Sequence, residues 1–218
     1  MRIDVKGTIV PNDDQWIYDL FEIEATSPKI VNDAIANANG DRLDVYINSG
    51  GGDVFSGSEI YSALREYSGT VKIHVVGIAA SAASVIACAA NCEMSPTAQM
   101  MVHNVSSCTN GDYHDMDKMS EILQKANETI AAAYVAKSGM SKQEALDMMD
   151  KETWLSAEDA LKLGLIDEIS GNKNMQLVAG IENIIPRSVI DKMNAERIRE
   201  KSSAQERLNK LKGGTHND

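Results

Sequence analysis

The stretch Gly77-Ile78-Ala79-Ala80-Ser81-Ala82-Ala83-Ser84 decides how the chain is organised, and it follows a strand-like run over residues 71–76. The β-rich run ends at a glycine, and the small residues after it predict a helix with Ser81 in its first turn. N–H groups in a first turn lack intrahelical acceptors, and the helix dipole is positive there. Such a position suits a nucleophile whose product is an oxyanion. The alternative is a buried helix whose small residues allow close packing, and the stretch alone does not separate the two.

The composition is that of a folded globular protein with an acidic body. Hydrophobic residues make up 43% of the 218 positions and charged residues 24%, and the formal net charge is −11. An acidic chain lacks the basic footprint of a nucleic-acid binder. Residues 171–218 carry nine Lys and Arg against six Asp and Glu, so the first 170 residues hold a net charge of −14. We therefore predict a folded domain over 1–170 and, over 171–218, a linker with a polar, mildly basic helical tail.

The sequence patterns also bear on compartment and on bound groups. The segment Met1–Lys6 has no apolar signal region, and the longest small and apolar run, 75–90, is shorter than the roughly 20 residues that cross a bilayer. Cys88, Cys92 and Cys108 are odd in number and match no zinc-finger spacing. We expect a cytoplasmic protein that binds no membrane, nucleic acid, metal or cofactor.

Strands and helices alternate through the first half of the chain. A strand over 43–47 runs into the glycine turn 48–53, and a helix over 54–67 leads to the strand 71–76 and the second glycine turn. This alternation predicts an α/β fold with a parallel sheet. In such sheets the chemistry gathers at the carboxyl ends of the strands. Both glycine turns lie at such ends, so we expect Gly50–Gly52 to lie close to Ser81.

The other predicted elements complete the body. A Ser-x-x-Glu capping box at Ser141 opens the helix predicted over 141–149, and Gly164 ends the last predicted helix. The predicted strands are 3–10, 99–103 and 165–169, and the predicted helices are 28–39, 113–137, 141–149 and one that starts at Leu155.

Acyl transfer by a serine needs a base for its proton and hydrogen-bond donors for the oxyanion. Of the four histidines, His103 alone ends a predicted strand, 22 positions after Ser81. The glycine triplet 50–52 tolerates unusual backbone angles and can present N–H groups to a ligand. The Ala82 N–H, next to Ser81, is the natural second donor. A phosphate-binding loop does not fit, because the motifs of such loops are missing after the triplet.

Four segments resemble, in order and spacing, the proteolytic subunit of the Clp protease family. They are Ile47-Asn48-Ser49-Gly50-Gly51-Gly52, Gly77-Ile78-Ala79-Ala80-Ser81-Ala82-Ala83, Met101-Val102-His103 and Leu155-Ser156-Ala157. The resemblance covers roughly residues 3–170. It implies a crotonase-like α/β fold of repeated β-β-α units with a mainly parallel sheet and a long protruding handle helix. It also implies a serine endopeptidase of the Ser-His-Asp type that needs no cofactor.

The resemblance assigns roles to individual residues. Ser81 would be the nucleophile and His103 the general base, and the N–H groups of Gly52 and Ala82 would form the oxyanion hole. The acidic member of the triad lies three residues before the Leu-Ser-Ala motif in the family, and that position is Glu152 in this chain. Glutamate can orient a histidine, although its extra methylene demands a shifted backbone. Asp150 is the rival for this role.

Other departures concern the glycine triplet and the chain ends. Gly50 stands where the family has proline, and we expect Gly50 and Gly51 to line the substrate site. No axial gating segment precedes the first predicted strand, and the tail 171–218 has no obvious family counterpart. Both features resemble the Clp-related proteases of tailed phages and prophages, which process capsid proteins during head maturation.

The resemblance further implies that helix 113–137 packs ring against ring in a homo-oligomer of stacked rings, with the active sites facing an enclosed chamber. Protein or peptide substrates, such as a capsid or scaffold protein, are the expected partners. Three alternatives stay open: a cellular-type Clp peptidase with an ATPase partner, a crotonase-like acyl-CoA enzyme, and a catalytically silent assembly protein.

Overall fold

A twisted, mostly parallel sheet forms the centre of the protein. The computed structural model describes residues 1–171, so the tail predicted over 171–218 lies outside the described residues apart from its first position. Within the described range the strands are β1 Arg2–Ile9, β2 Ala25–Thr26, β3 Leu43–Gly52, β4 Val71–Ala80, β5 Asn91–Met94, β6 Gln99–Val102, β7 Thr153–Ser156 and β8 Glu168–Ile169. Six of them lie in the order β2-β1-β3-β4-β5-β8, all parallel.

The long strand β4 pairs with two successive neighbours on one side. Its first half pairs with β5, and its last residues, Ile78–Ala80, pair in parallel with β6. β6 in turn pairs antiparallel with β7. This arrangement places the carboxyl ends of β4 and β6 side by side, with Ala80 opposite Met101.

Seven helices in residues 1–171 cover the sheet and extend from it. They are α1 Gln15–Leu20, α2 Pro28–Asn37, α3 Val54–Glu66, α4 Ala82–Ala87, α5 Tyr113–Ser138, α6 Lys142–Asp150 and α7 Ala157–Lys162. Every residue of α4 is buried, because its small side chains let it pack within the core beside β3 and β4. The capping box predicted at Ser141 is confirmed, and similar boxes begin α5 and α7.

Two predicted boundaries near the glycine stretches are wrong. The helix expected from Gly77 begins only at Ala82, because residues 77–80 continue β4 and Ile78–Ala80 pair with β6. The glycine turn expected over 48–53 is strand up to Gly52, because Gly51 and Gly52 pair with β1 past an irregularity in register. Pairing partners distant in sequence override the local preference of glycine and alanine.

Differences also occur in the later part of the sheet. β5 was not predicted, since its four residues show no clear alternation. Leu155 lies in β7 rather than in a helix, because it pairs with Met100. The strand expected over 165–169 is confined to Glu168–Ile169. No helix in residues 1–171 has the length and apolar character needed to cross a bilayer.

Candidate active site

Ser81 occupies a strained backbone position between β4 and α4. Its φ of 54° and ψ of −127° are sparsely populated for a non-glycine residue. The conformation is held from both sides: the Ser81 N–H donates to the Met101 carbonyl at 2.9 Å, and the Ser84 N–H donates to the Ser81 carbonyl at 2.9 Å. A sharp turn from strand to helix exposes the nucleophilic serine hydroxyl in α/β-hydrolases.

His103 follows β6 directly and faces Ser81. Its Nε2 lies 2.7 Å from the Ser81 Oγ, a hydrogen-bond distance. The parallel pairing of β4 with β6 brings the two residues together, since each comes directly after its strand. The structure therefore joins the predicted nucleophile and base in the geometry that a serine–histidine pair requires.

The other two histidines of the described residues make contacts elsewhere. His74 lies on the sheet surface, where its ring nitrogens are 2.7 Å from a Glu93 oxygen and 3.1 Å from an Asp44 oxygen. His114, at the start of α5, packs against the Tyr113 ring. Neither is placed to accept the Ser81 proton.

Gly51 allows β3 to approach the Ser81 turn closely. A Cβ added at Gly51 would lie 2.6 Å from the Ser81 Cβ and 3.0 Å from the Ala82 nitrogen, and the φ of Gly51 is +93°. The predicted proximity of the glycine triplet to Ser81 is thus observed. The Gly51 N–H donates to the Ser49 Oγ at 3.1 Å, so a ligand would have to displace that bond to use it.

The two residues beside Gly51 have different surroundings. Gly52 packs against β1, where an added Cβ would clash with the Ile9 carbonyl, whereas an added Cβ at Gly50 would meet nothing within 4 Å. Ala82 is the first residue of α4, and its N–H has no intrahelical acceptor. The Ala82 N–H is thus next to the serine, whereas the neighbours of Gly52 belong to β1, and the use of the two as oxyanion donors stays a prediction.

A small pocket opens beside the hydroxyl of Ser81. Its lining is mainly apolar, which suits the side chain of an unfolded polypeptide better than a charged cofactor. The lining residues are Val54, Ser81, Ala82, Val85, His103, Asn104, Val105, Ile130 and Tyr134. Among the described residues, no group of three or more His, Cys, Asp or Glu side chains could hold a metal ion.

The two candidate acidic residues form hydrogen bonds elsewhere in this structure. The Glu152 Oε1 accepts from the Trp154 indole N–H at 3.3 Å, and the Asp150 Oδ1 accepts from the Asn104 side-chain amide at 2.7 Å. Glu152 has a positive φ of 47°. In residues 1–171 the His103 ring hydrogen-bonds to Ser81 alone. The structure thus brings together the serine, the histidine and the glycines, but not the carboxylate.

Asn104 belongs to the site, and nothing in the sequence pattern marks it. Its amide nitrogen is bound to Asp150, while its Oδ1 is buried and without a hydrogen-bond partner in the described residues. The residue lines the pocket beside His103. A buried acceptor left unpaired is costly, so a substrate N–H is a suitable partner for it. Its place directly after the predicted base is the one signal that could have marked it.

Comparisons with known proteins give a consistent result. A family model described as Clp protease matches residues 29–173, well over half of the chain. The ATP-dependent Clp protease proteolytic subunit of Deinococcus radiodurans is 29% identical over 130 residues, which are 58% of this chain and 64% of that protein. The subunit of the same name from Streptococcus agalactiae serotype V is 31% identical over 146 residues, 65% of this chain and 74% of that protein.

Solved structures add information on the fold. A ClpP1 point mutant from Listeria monocytogenes superimposes with a TM-score of 0.64 at 22% sequence identity. The superposition covers 79% of this chain and 92% of that one. The likeness confirms the predicted α/β fold with a mainly parallel sheet.

Proposed function

Since the chain belongs to the Clp protease family, we propose that it is a serine-type endopeptidase with Ser81 as nucleophile and His103 as general base. The hydrogen bond of 2.7 Å between the Ser81 Oγ and the His103 Nε2 is the observation that supports this most strongly. A hydroxyl at a strained strand-to-helix turn, bonded to an imidazole, is the arrangement that activates serine for acyl transfer.

The proposed reaction follows from the geometry. His103 takes the proton of Ser81 through Nε2 while the Oγ attacks the peptide carbonyl carbon. The oxyanion that forms accepts hydrogen bonds from the N–H groups of Ala82 and Gly52. His103 then gives the proton to the leaving amine, and the acyl-enzyme on Ser81 is hydrolysed by water with His103 again as base.

Glu152 is the proposed third member of the triad. It holds the position that the family resemblance assigns, and its exposed carboxylate has a single weak partner, the Trp154 indole. A change in the Glu152 side chain on assembly would bring it to the Nδ1 side of His103. Asp150 is the weaker candidate, because its carboxylate already accepts a short bond from Asn104.

We propose that the chain works as a homo-oligomer of stacked rings whose active sites face an enclosed chamber. Large apolar side chains lie exposed on helix α5, where Tyr113 is 69% and Ile122 51% exposed, and on α1, where Trp16 is 63% exposed. Exposed apolar side chains on two helices are suited to contacts between subunits.

The proposed substrates are capsid or scaffold proteins cleaved during phage head maturation. The support for this role is the resemblance to Clp-related phage proteases, carried by the mildly basic segment 171–218. The alternative is that the chain degrades proteins together with an ATPase partner, as a cellular-type Clp peptidase. Either role would be performed in the cytoplasm, in agreement with the free thiols of Cys88, Cys92 and Cys108.

Cleavage of an internally quenched peptide and of a capsid precursor tests the activity. The assembled wild-type protein should cleave the peptide, and Ser81→Ala should reduce kcat by at least about 10⁴-fold, as loss of a serine nucleophile does in other proteases. Ser62→Ala is the matched control, because it removes an exposed serine hydroxyl of α3. Unchanged cleavage by Ser81→Ala would overturn the proposal, and a precursor left intact by an active peptidase would overturn the capsid role.

A further inference from the structure

A buried pair of hydroxyl groups lies directly behind Ser81. Ser84 is fully buried in α4, and Tyr134 of α5 is 1% exposed. The Ser84 Oγ is 2.6 Å from the Ser81 carbonyl oxygen and 2.7 Å from the Tyr134 hydroxyl oxygen. The sequence predicts only that the Ser84 side chain packs in the core. Its contacts with the Ser81 carbonyl and the Tyr134 hydroxyl are seen only in the structure.

The direction of both hydrogen bonds is fixed by chemistry. A carbonyl oxygen only accepts, so the single hydroxyl hydrogen of Ser84 must be donated to the Ser81 carbonyl. The Tyr134 hydroxyl must therefore be the donor to the Ser84 Oγ. Burial raises the pKa of Tyr134 above its usual value, so its proton stays in place at neutral pH. Two hydrogen bonds therefore point in one direction, from the Tyr134 hydroxyl to Ser84 and from Ser84 to the Ser81 carbonyl. We call this pair of hydrogen bonds the relay.

The relay acts on the peptide unit that carries the oxyanion donor. The Ser81 carbonyl and the Ala82 N–H belong to the same planar trans peptide, so they point in opposite directions. Fixing the carbonyl against Ser84 in α4 therefore aims the Ala82 N–H away from α4, toward the Gly51 side of the site. Successive hydrogen bonds also polarise one another and strengthen the peptide as a donor.

We propose that Tyr134, acting through Ser84, is a positioning residue that orients the Ala82 N–H toward the oxyanion. This inference rests on the proposed peptidase activity of Ser81. Tyr134 makes no hydrogen bond to the Ser81 hydroxyl, although its side chain lines the pocket beside it. Through Ser84 it adds a side-chain hydrogen bond to the Ser81 carbonyl, next to the one from the Ser84 N–H, at a residue whose φ is 54°.

The expected kinetic effect separates this role from simple packing. The oxyanion exists only in the transition state and the intermediate, so a misdirected donor lowers kcat and leaves KM unchanged. Loss of a whole oxyanion donor costs about 10² to 10³ in kcat. Since the Ser84 N–H still holds the Ser81 carbonyl at 2.9 Å, we expect a smaller loss on breaking the relay, about 10-fold for Tyr134→Phe and about 30-fold for Ser84→Ala.

Four variants of the full-length assembled protein test the proposal. Tyr134→Phe and Ser84→Ala break the relay, and Ser84→Thr retains a hydroxyl. Tyr67→Phe is the matched control, because Tyr67 also donates its hydroxyl to a backbone carbonyl, that of Asp41 at 2.6 Å, but lies at the opposite end of β4. Peptide cleavage gives kcat and KM, and sedimentation checks that each variant assembles like the wild type.

The relay predicts a lower kcat at constant KM for the first two variants, rescue by Ser84→Thr to within about threefold of wild type, and no change for Tyr67→Phe. Wild-type kcat in Tyr134→Phe, or equal losses in Ser84→Ala and Ser84→Thr, would overturn it. If Tyr134→Phe fails to assemble, the Ser84 pair decides alone. A wild-type protein that cleaves no peptide would instead overturn the proposed peptidase function.

Discussion

The two halves of the proposed triad are built differently. The serine–histidine half sits at the paired ends of β4 and β6, and its contact is a hydrogen bond of 2.7 Å. The carboxylate half lies at the exposed end of α6 and in the turn after it, where Glu152 and Asp150 bind Trp154 and Asn104 instead of the histidine.

The difference shows what backbone pairing can and cannot fix. The contact between Ser81 and His103 follows from the register of two parallel strands, so it is present in a single subunit. The position of the Glu152 carboxylate depends on exposed side-chain torsions, which solvent and a neighbouring subunit can change at little cost. We therefore expect substitutions in the first half to act on every form of the protein, and those in the second to act through the assembled one.

The largest effect should come from the base. His103→Gln removes the proton acceptor of Ser81, and we expect kcat for peptide cleavage to fall by at least about 10⁴-fold. His114→Gln serves as the control, since His114 contacts Tyr113 at the start of α5, and it should keep wild-type kinetics. An active His103→Gln protein would show that the short contact to Ser81 is not catalytic.

The next effect concerns the carboxylate half. Glu152→Gln keeps the size of the side chain but cannot stabilise an imidazolium, so kcat of the assembled protein should fall by about 10³-fold. Asp150→Asn, two positions away, should lower kcat less than about fivefold, because it disturbs only the bond to Asn104. The reverse order of the two losses would assign the acidic role to Asp150.

The glycine triplet offers a pair of neighbouring substitutions with opposite outcomes. Gly51→Ala forces a Cβ to within 2.6 Å of the Ser81 Cβ at a φ of +93°. We expect the free energy of unfolding to drop by about 2–3 kcal/mol and kcat by about 10²-fold. Gly50→Ala meets nothing within 4 Å and should leave the free energy of unfolding unchanged. Thermal unfolding and peptide cleavage measure both, and equal behaviour of the two variants would contradict the close approach at Gly51.

Thiol labelling compares the core behind α4 with the exposed loop after His103. Cys88 and Cys92 lie in the core behind α4, and burial raises the pKa of both thiols, that of Cys92 to about 12. They are protonated at pH 8 and should resist iodoacetamide. Cys108, exposed in the loop after His103, should react in the native protein. Mass spectrometry should find one modified cysteine per native chain and three in denaturant; rapid labelling of Cys88 would contradict the buried core.

The sequence was sufficient to predict the sheet, the long helix and the pairing of Ser81 with His103. Alternation of strands and helices placed both residues near strand ends, which is where parallel pairing brings them together, and the resemblance to the Clp family assigned them their roles. The sequence was not sufficient to predict that β4 continues beyond Val76. The small side chains of Gly77–Ala80 are compatible with a helix, and this segment is strand because it pairs with β6. β5 was not predicted either, because four residues are too few to show a clear alternation of apolar and polar side chains.

The contacts behind the serine were beyond prediction for another reason. Ser84 and Tyr134 are 50 positions apart, and a serine inside a run of alanines gives no sign of its partner. The partner of Asn104 likewise depends on how the turn before β7 meets the loop after β6. Such contacts are set by side-chain packing across elements rather than by the periodicity of any one of them.

Covalent labelling of the assembled protein by a fluorophosphonate tests the central claim most directly, because this reagent phosphonylates an activated serine with loss of fluoride and leaves an adduct that resembles the tetrahedral intermediate. The account predicts one adduct per chain, located by peptide mass spectrometry on Ser81, and a rate of labelling that falls by orders of magnitude in His103→Gln. An adduct on a different serine, or none on a protein that still cleaves peptide, would contradict it.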